Sequence, residues 1–512
     1  MTSPAATTAA ATAATTTTPS LQSFVDFCSV EDIFHQFVPF LTYQDVGRLE
    51  STSKFLQTRA QESMWKMVCR RDNYYCSSGE EEDEHDDDGM TTGPTYHEER
   101  QSFDCLEKAS NWKDFYHKWW FWSQWTHGAA KPHHLREAIS LWARCKAVLV
   151  QQGLHNVVQS LSPCLTREEF GALLEVDDDD DGAGVGHVRQ FPLPSSLVAF
   201  LSVHGGQQAL PPRSQDQEFF AGLFGSYSCY DHFYSMRLVK MGEFLGTAFR
   251  AFPGSILIAI SVGNPRMFLF LQQPTPDDPE GKLTAVYNSP LASRGQESPV
   301  VGHGGILTYL RQYVERLEAG VYKRVQILDE SPSSQGIGLF PDGGPTMSRA
   351  VTRGIEVRAS ARWFPAGIQD QQGRGLNFGY SIRIQMVDAD PEFDTCQLVS
   401  RHWEFMDGEG NVRRVDGEAV VGKQPVFFRD ATTGKPGFID MGPAGDDNRY
   451  ADKTFVYQSQ SGPVAGTSQQ DSGGASVKGT FSFVPGTIGN PTGPRFHVVV
   501  ASFPLTVPTP FY

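Results

Sequence analysis

Leu398-Val399-Ser400-Arg401-His402-Trp403 reads as an alternating strand. It is followed by the turn signal Asp407-Gly408-Glu409-Gly410 and by Val415-Asp416-Gly417-Glu418-Ala419-Val420-Val421-Gly422-Lys423-Gln424-Pro425. Period-two segments between Gly, Pro and Asp turns surround it: Ile355-Glu356-Val357, Tyr380-Ser381-Ile382-Arg383-Ile384, Phe455-Val456-Tyr457, Phe481-Ser482-Phe483 and Phe496-His497-Val498-Val499-Val500. Side chains alternate across a strand, so such a pattern places one face in a core and the other in water. Several short strands spaced this way predict an antiparallel sandwich over 348–512.

Moving toward the amino end, 331–347 reads as a linker and 131–330 as a mixed α/β region. Its helical parts are Leu135–Ser160, a short helix over Pro194–His204, and an amphipathic helix over 305–328 carrying Leu307, Leu310, Val314 and Leu317. Its strands are Ile256–Val262 and Met267–Leu271, joined by a Gly263-Asn264-Pro265 turn. Residues 104–130 form a Trp-rich helical extension and 76–103 an acidic linker. Residues 23–75 read as helix, with Phe24, Phe27, Ile33, Phe37, Leu41, Val46 and Leu49 at roughly helical spacing. Residues 1–22 are Ala/Thr-rich and offer too little to bury to fold. The fold class expected is therefore multidomain α + β.

Composition excludes several functions. The 512 residues carry 43 Lys plus Arg against 59 Asp plus Glu, a formal charge of −16. Glu80–Asp88 holds eight acids and Asp177–Asp181 five more, so two local runs supply most of the surplus. Each reads as a solvated loop. A net acidic chain with no basic stripe has no electrostatic means of holding nucleic acid. No stretch reaches about 18 uninterrupted apolar residues, so no membrane partner is expected. The first 20 residues hold no Lys or Arg and so match neither a secretory signal nor a transit peptide. Eight cysteines never form a Cys-x-x-Cys pair and read as reduced thiols, giving an expected location in cytoplasm or nucleus.

Three stretches resemble known families. Thr352-Arg353-Gly354-Ile355-Glu356-Val357, Phe378-Gly379-Tyr380, Ser400-Arg401-His402-Trp403, Val420-Val421-Gly422-Lys423-Gln424-Pro425 and Ala501-Ser502-Phe503-Pro504-Leu505 look like an ApaG domain, which implies a fibronectin-III-like sandwich. Leu193-Pro194-Ser195-Ser196-Leu197 through His204-Gly205-Gly206, with Phe252-Pro253-Gly254-Ser255-Ile256, resembles the SUKH (Smi/Knr-like) superfamily, implying a protein-binding module. Cys28 to Leu49, with Ser53-Lys54-Phe55 and Met64-Trp65-Lys66, resembles an F-box. A unit of about 45 residues with that much apolar surface cannot bury it alone. The resemblance implies that the Skp adaptor of a cullin–RING ligase covers it, on a face of Ile33, Phe37, Leu41, Val46 and Leu49. The order F-box, SUKH, ApaG resembles F-box-only proteins that carry ApaG.

The chemical motifs are weaker. Gly417-Glu418-Ala419-Val420-Val421-Gly422-Lys423-Gln424 misses a phosphate loop, because Gln424 lacks the magnesium-binding hydroxyl and Pro425-Val426-Phe427-Phe428 reads extended. ApaG resemblance leaves Gly417, Gly422, Lys423 and Arg401 as candidates for an anion site, with a plain turn between strands as the alternative. Ser400 and His402 share a strand face, but no third group is evident to orient the imidazole and there is no nucleophile elbow. His133-His134 reads as a solvated helix start without metal. No cofactor, metal or catalytic residue is expected. The reading is a non-catalytic subunit of an SCF-type ubiquitin ligase that recruits an unidentified protein. A ligase-independent scaffold and an ApaG-based phosphate or nucleotide sensor are the alternatives.

Overall fold

The computed structural model describes Arg48, Ser123 and residues 125–174, 193–208, 219–230, 232–240, 255–264, 267–288, 296–328, 331–364, 376–441, 447–465 and 474–506. The chain divides into two compact units, one comprising Met1–Glu98 with Phe103–Gln124 and the other Glu99–Ser102 with Trp125–Tyr512. Ile33, Phe37, Leu41, Val46 and Leu49, both acidic runs and most of the Trp-rich extension lie outside the described residues. The second unit contains a helix-covered sheet and a β-sandwich.

The helical layer begins with α1 (Pro132–Gln151), where Pro132 occupies a first-turn position that needs no amide donor. Leu135, Ala138, Leu141, Trp142, Cys145, Val148 and Leu149 form its buried stripe. Gly153 takes a left-handed φ of 73°, and Leu154 N–H reaches the Leu149 carbonyl at 2.8 Å. The expected long helix therefore stops there and resumes as α2 (His155–Gln159). Next come α3 (Arg167–Leu174) and α4 (Ser195–Leu201), the latter buried along its whole length. The last helix, α5 (Gly305–Glu318), buries Leu307, Leu310, Tyr313, Val314 and Leu317. It ends ten residues before the expected boundary of 328. The reason is Gly320, at φ 68°, with Val321 N–H returning to the Arg316 carbonyl at 2.9 Å.

These helices cover an eight-stranded sheet of order β6-β5-β4-β3-β2-β1-β8-β7. Its strands are β1 (Ser226–Cys229), β2 (His232–Leu238), β3 (Ile256–Asn264), β4 (Met267–Gln273), β5 (Lys282–Asn288), β6 (Gln296–Val301), β7 (Lys323–Gln326) and β8 (Gln335–Gly338). The expected β3–β4 pair is present, with Ile256 opposite Gln272 and a bulge between Leu257 and Ala259. Neighbours are antiparallel except β1 and β8. The segment 331–347 is thus not a linker. It supplies β8, and Leu339 and Phe340 are buried because they follow β8 directly into the core.

The sandwich has a four-stranded sheet, β17-β11-β10-β9, made of β9 (Met347–Thr352), β10 (Ile355–Trp363), β11 (Leu376–Met386) and β17 (Phe455–Val464). The opposing sheet runs β16-β15-β14-β12-β18, with β13 beside β12 and both β19 (Asn490–Pro491) and β20 (Phe496–Pro504) beside β18. Its other strands are β12 (Thr395–Met406), β13 (Val412–Glu418), β14 (Val426–Arg429), β15 (Pro436–Met441), β16 (Asp447–Ala451) and β18 (Ser476–Thr487). Trp403 is buried between the sheets, edge-on to Phe481 at 5.5 Å and to Tyr380 at 5.8 Å.

Sandwich and helix-covered sheet meet through specific contacts. Tyr227 of β1 stacks on Phe364 at 4.8 Å and on Tyr234 at 4.9 Å, with the Arg362 guanidinium 4.8 Å above the Tyr227 ring. Tyr230, at the tip of the β1–β2 hairpin, bonds through its hydroxyl to Ser459 Oγ at 2.8 Å. Buried Arg383 donates to the carbonyls of Phe340 (3.0 Å) and Pro341 (3.2 Å) and lies 3.5 Å from Asp342. Asp342 also takes Arg358 at 2.6 Å and Lys323 at 3.1 Å. Desolvation pushes the Arg383 pKa down to about 10, which still leaves it charged at neutral pH. Asp342→Ala should therefore destabilise this unit by about 3 kcal/mol in denaturant titration, because it strips the counter-charge from a buried cation.

His204 gives a second test. It packs edge-on against Trp142 at 4.7 Å, and its Nδ1–H donates to the Ser162 carbonyl at 2.9 Å. Burial pushes its pKa down to about 4, from an ordinary 6.5. The imidazole is thus neutral when folded, while the unfolded chain takes up a proton below 6.5. Stability is full above that value and declines as pH falls toward 4, by about 3 kcal/mol in all. In parallel thermal melts across this window, His204→Phe should lack that part of the acid loss.

Candidate functional site

The sequence-predicted residues Ser400, Arg401, His402, Gly417, Gly422 and Lys423 all lie on β12, β13 and the connection leading to β14. β13 and β14 sit end to end along one side of β12, both antiparallel to it, with Ser400 opposite Glu418 and Gln397 opposite Val426. Only Leu398 and Val399 separate those positions on β12, so residues 419–425 leave the sheet as an excursion. It is pinned where Ala419 N–H meets the Val399 carbonyl (2.9 Å) and Leu398 N–H the Pro425 carbonyl (3.1 Å).

Within the excursion, Val420 and Lys423 exchange two amide–carbonyl bonds of 2.9 Å. Val421 and Gly422 between them have φ of 48° and 77°. This is a primed two-residue turn, whose first position ordinarily goes to Asn, Asp or Gly. A β-branched residue there is strained. Arg401 spans the excursion, its Nη1 donating to the carbonyls of Glu418 (3.2 Å) and Ala419 (2.5 Å). Lys423 is 3.0 Å from Asp440.

The four candidate anion ligands therefore do not converge as an anion cradle. The amides of Ala419, Val420 and Lys423 are spent on carbonyls, Arg401 grips the backbone, and Lys423 faces a carboxylate. A Cβ added at Gly422 meets no protein atom within 4 Å, so what favours glycine there is its φ of 77°. What the excursion does instead is re-aim the chain between two strands. Replacing Val421 by Asn should relieve the left-handed strain and stabilise the sandwich by about 1 kcal/mol, read as a higher denaturation midpoint.

On the outward face, His402 has what the sequence left unseen. Its Nδ1–H donates to Asp416 Oδ1 at 2.7 Å, directly across the β12–β13 pair. Its Nε2 lies 3.5 Å from Ser482 Oγ, and that hydroxyl is 3.2 Å from His497 Nδ1. An orienting carboxylate thus exists, and the hydroxyl next to the imidazole belongs to Ser482 rather than Ser400. The order carboxylate–imidazole–hydroxyl resembles a catalytic triad, but the surroundings do not support acyl transfer. Asp416 is 71% and His402 45% exposed, so water screens both. The flanking amides of β12 and β18 belong to ladder bonds, so neither strand offers an oxyanion donor beside Ser482. The next row on this face is ionic: Lys478 and Arg414 both pair with Glu404, at 3.2 and 3.1 Å, and hold its carboxyl below the usual range.

The signal for Asp416 was present. Asp407 accepts from the amides of Glu409 (2.9 Å) and Asn411 (2.8 Å), closing a tight connection with Met406 opposite Val412. Counting outward from that turn pairs His402 with Asp416. Ser482 and His497 come from β18 and β20, whose registers no local turn to β12 fixes. His134, expected to be solvated, is instead half-buried, with Nδ1 2.8 Å from Ser195 Oγ and 3.7 Å from Glu280. Desolvation lowers its pKa. Among the described residues no group of three or more His, Cys, Asp or Glu is placed to hold a metal ion.

Residues 369–432, which include β11, β12, β13 and the excursion, match the family model of the ApaG domain. The sandwich carries an ApaG domain. Protein ApaG of Xanthomonas axonopodis pv. citri is 45% identical over 71 residues, 14% of this chain and 52% of that protein. The match thus spans about half the length of the bacterial relative. F-box protein SKIP16 of Arabidopsis thaliana is 26% identical over 349 residues, 62% of this chain and 70% of that protein. A crystal structure of an ApaA protein from Bordetella pertussis aligns at 23% identity and a TM-score of 0.20, covering 32% of this chain and 97% of that one.

Proposed function

We propose that this chain is the substrate-recognition subunit of an SCF-type E3 ubiquitin ligase, working in cytoplasm or nucleus. The carrying observation is the length of its likeness to an F-box protein. The 349 aligned residues are more than twice the span of the ApaG region, so the likeness extends well beyond that domain. In this reading residues 23–75 are the F-box, and Ile33, Phe37, Leu41, Val46 and Leu49 form the face that docks on Skp. The SUKH-like region and the ApaG sandwich then hold the target protein.

The ApaG surface supports a binding role over a catalytic one, since the triad-like row among its described residues is solvated and finds no oxyanion donor on β12 or β18. A receptor of this kind acts by proximity. Holding a target beside the ubiquitin-charged enzyme converts an encounter into a local reaction and needs no chemistry of its own. The contacts among Tyr227, Phe364, Asp342 and Arg383 suit that role, because a target fixed on one module is then fixed relative to the other.

The test is co-purification from cells of the tagged full chain. The wild type should bring down Skp and cullin, and the double variant Ile33→Asp, Leu41→Asp should lose them by about tenfold or more, since two carboxylates cannot be buried in an apolar interface. The variant's ApaG domain should stay folded. Retention of Skp by the double variant would reassign the face. A wild type that brings down neither subunit would replace this reading with the ligase-independent scaffold.

A further inference from the structure

β13, Val412-Arg413-Arg414-Val415-Asp416-Gly417-Glu418, is hydrogen-bonded on one side only among the described residues, to β12. Five of its seven residues are exposed, and Val412 keeps 53% of its surface in water. An open edge of this length is a template for another strand. Its charge is divided along its length, with Arg413 and Arg414 before Val415 and Asp416 and Glu418 after it. That order is self-complementary when the strand is reversed.

We propose that β13 pairs antiparallel with β13 of a second copy of this chain, about a two-fold axis at Val415, so that the two outer sheets become one. In this register Arg414 lies opposite Asp416 of the second copy, twice by symmetry, on the outward face. Val415 meets its own counterpart on the inward face, a favourable β-branched pair. Arg413, whose guanidinium covers Phe405 at 4.7 Å and donates to the Ser461 carbonyl at 2.6 Å, lies opposite Gly417, where the Cβ position is taken by the Arg401 guanidinium of the same strand pair.

Neighbouring registers are worse for a stated reason. A slip of two residues one way sets Arg414 against Arg414, and the other way Asp416 against Asp416. Parallel in-register pairing stacks like on like throughout. The charges that repel a foreign strand therefore select this one. Arg414 and Asp416 are 76% and 71% exposed, so each can take a second partner beyond Glu404 and His402. The dimer would carry a continuous row from Lys478 through Glu404 and Arg414 to Asp416 and His402 of the second copy. The proposal rests on the ApaG sandwich alone and is independent of the ligase reading.

Sedimentation velocity of the full chain tests it. Between about 1 and about 100 µM the wild type should pass from monomer to dimer, and raising salt to about 0.5 M should shift the equilibrium back. Arg414→Asp or Asp416→Arg alone places like charges opposite each other and should weaken dimerisation about tenfold or more. The double exchange, Arg414→Asp with Asp416→Arg, restores opposite charges and should recover wild-type association within about threefold. A wild type that stays monomeric throughout overturns the proposal. So does a dimer indifferent to the single reversals, or a folded double exchange that fails to recover, with folding judged by an unchanged thermal melt.

Discussion

A guanidinium taken out of water has to be neutralised and fully hydrogen-bonded, and the way Arg383 meets that demand organises the second unit. It stands on β11 in the middle of the sandwich's smaller sheet, and its partners lie in the chain that leaves β8: the carbonyls of Phe340 and Pro341 and the Asp342 carboxylate. Asp342 in turn gathers Arg358 from β10 and Lys323 from β7. One carboxylate therefore ties strands of two different sheets to the segment that connects them. The neighbouring Tyr227–Phe364 stack and the Tyr230–Ser459 bond fix the same junction from the hairpin side. Ion pairs alone would be a weak hinge in water; here burial and aromatic packing make the arrangement specific.

That junction explains why the boundary drawn from composition fell in the wrong place. Residues 331–347 are rich in Ser, Gly and Pro, which is the usual mark of a linker, yet Gln335–Gly338 closes a sheet by pairing with β1 and β7. Glycine is useful there because a Cβ at Gly336 would meet the Phe220 carbonyl at 2.5 Å, and one at Gly338 would meet Val325 at the same distance. Composition cannot distinguish a glycine that loosens a chain from one that admits a close neighbour. The early end of α5 has a similar origin, since Gly320 stops it while Val321, Val325 and Ile327 prolong the apolar pattern into a strand.

Where period and turn chemistry agree, the sequence was informative. The alternating runs at Ile355, Tyr380, Phe455, Phe481 and Phe496 all lie in strands of the sandwich, while Gly263 and Asn264 of the expected turn are the last two residues of β3. Pairing between distant strands was not legible. His402 next to Asp416 follows from one hairpin, whereas Ser482 and His497 reach the same row only through the long-range β12–β18 and β18–β20 registers. Nor could the pattern Gly-x-x-x-x-Gly-Lys reveal that Val420 and Lys423 would close a tight turn. A glycine-rich string is an anion cradle only when its amides are left unspent, and that is a property of the bonds made rather than the residues present.

The outward face of the sandwich shows the same principle in its chemistry. Asp416, His402 and Ser482 have the residue types and the order of a hydrolytic triad, and nothing in their spacing alone forbids the comparison. What separates them from one is their setting: the carboxylate and imidazole stand in water, and the amides of β12 and β18 beside the Ser482 hydroxyl are committed to their ladder. A flat, solvated, charge-alternating sheet face is poorly suited to stabilising a transition state, which needs preorganised dipoles in a dry cleft. It is well suited to recognition, where exposed charges in fixed rows discriminate between partners by register and sign. The features that argue against catalysis at His402 are thus the ones that qualify this face, and the open edge of β13 beside it, for holding another polypeptide.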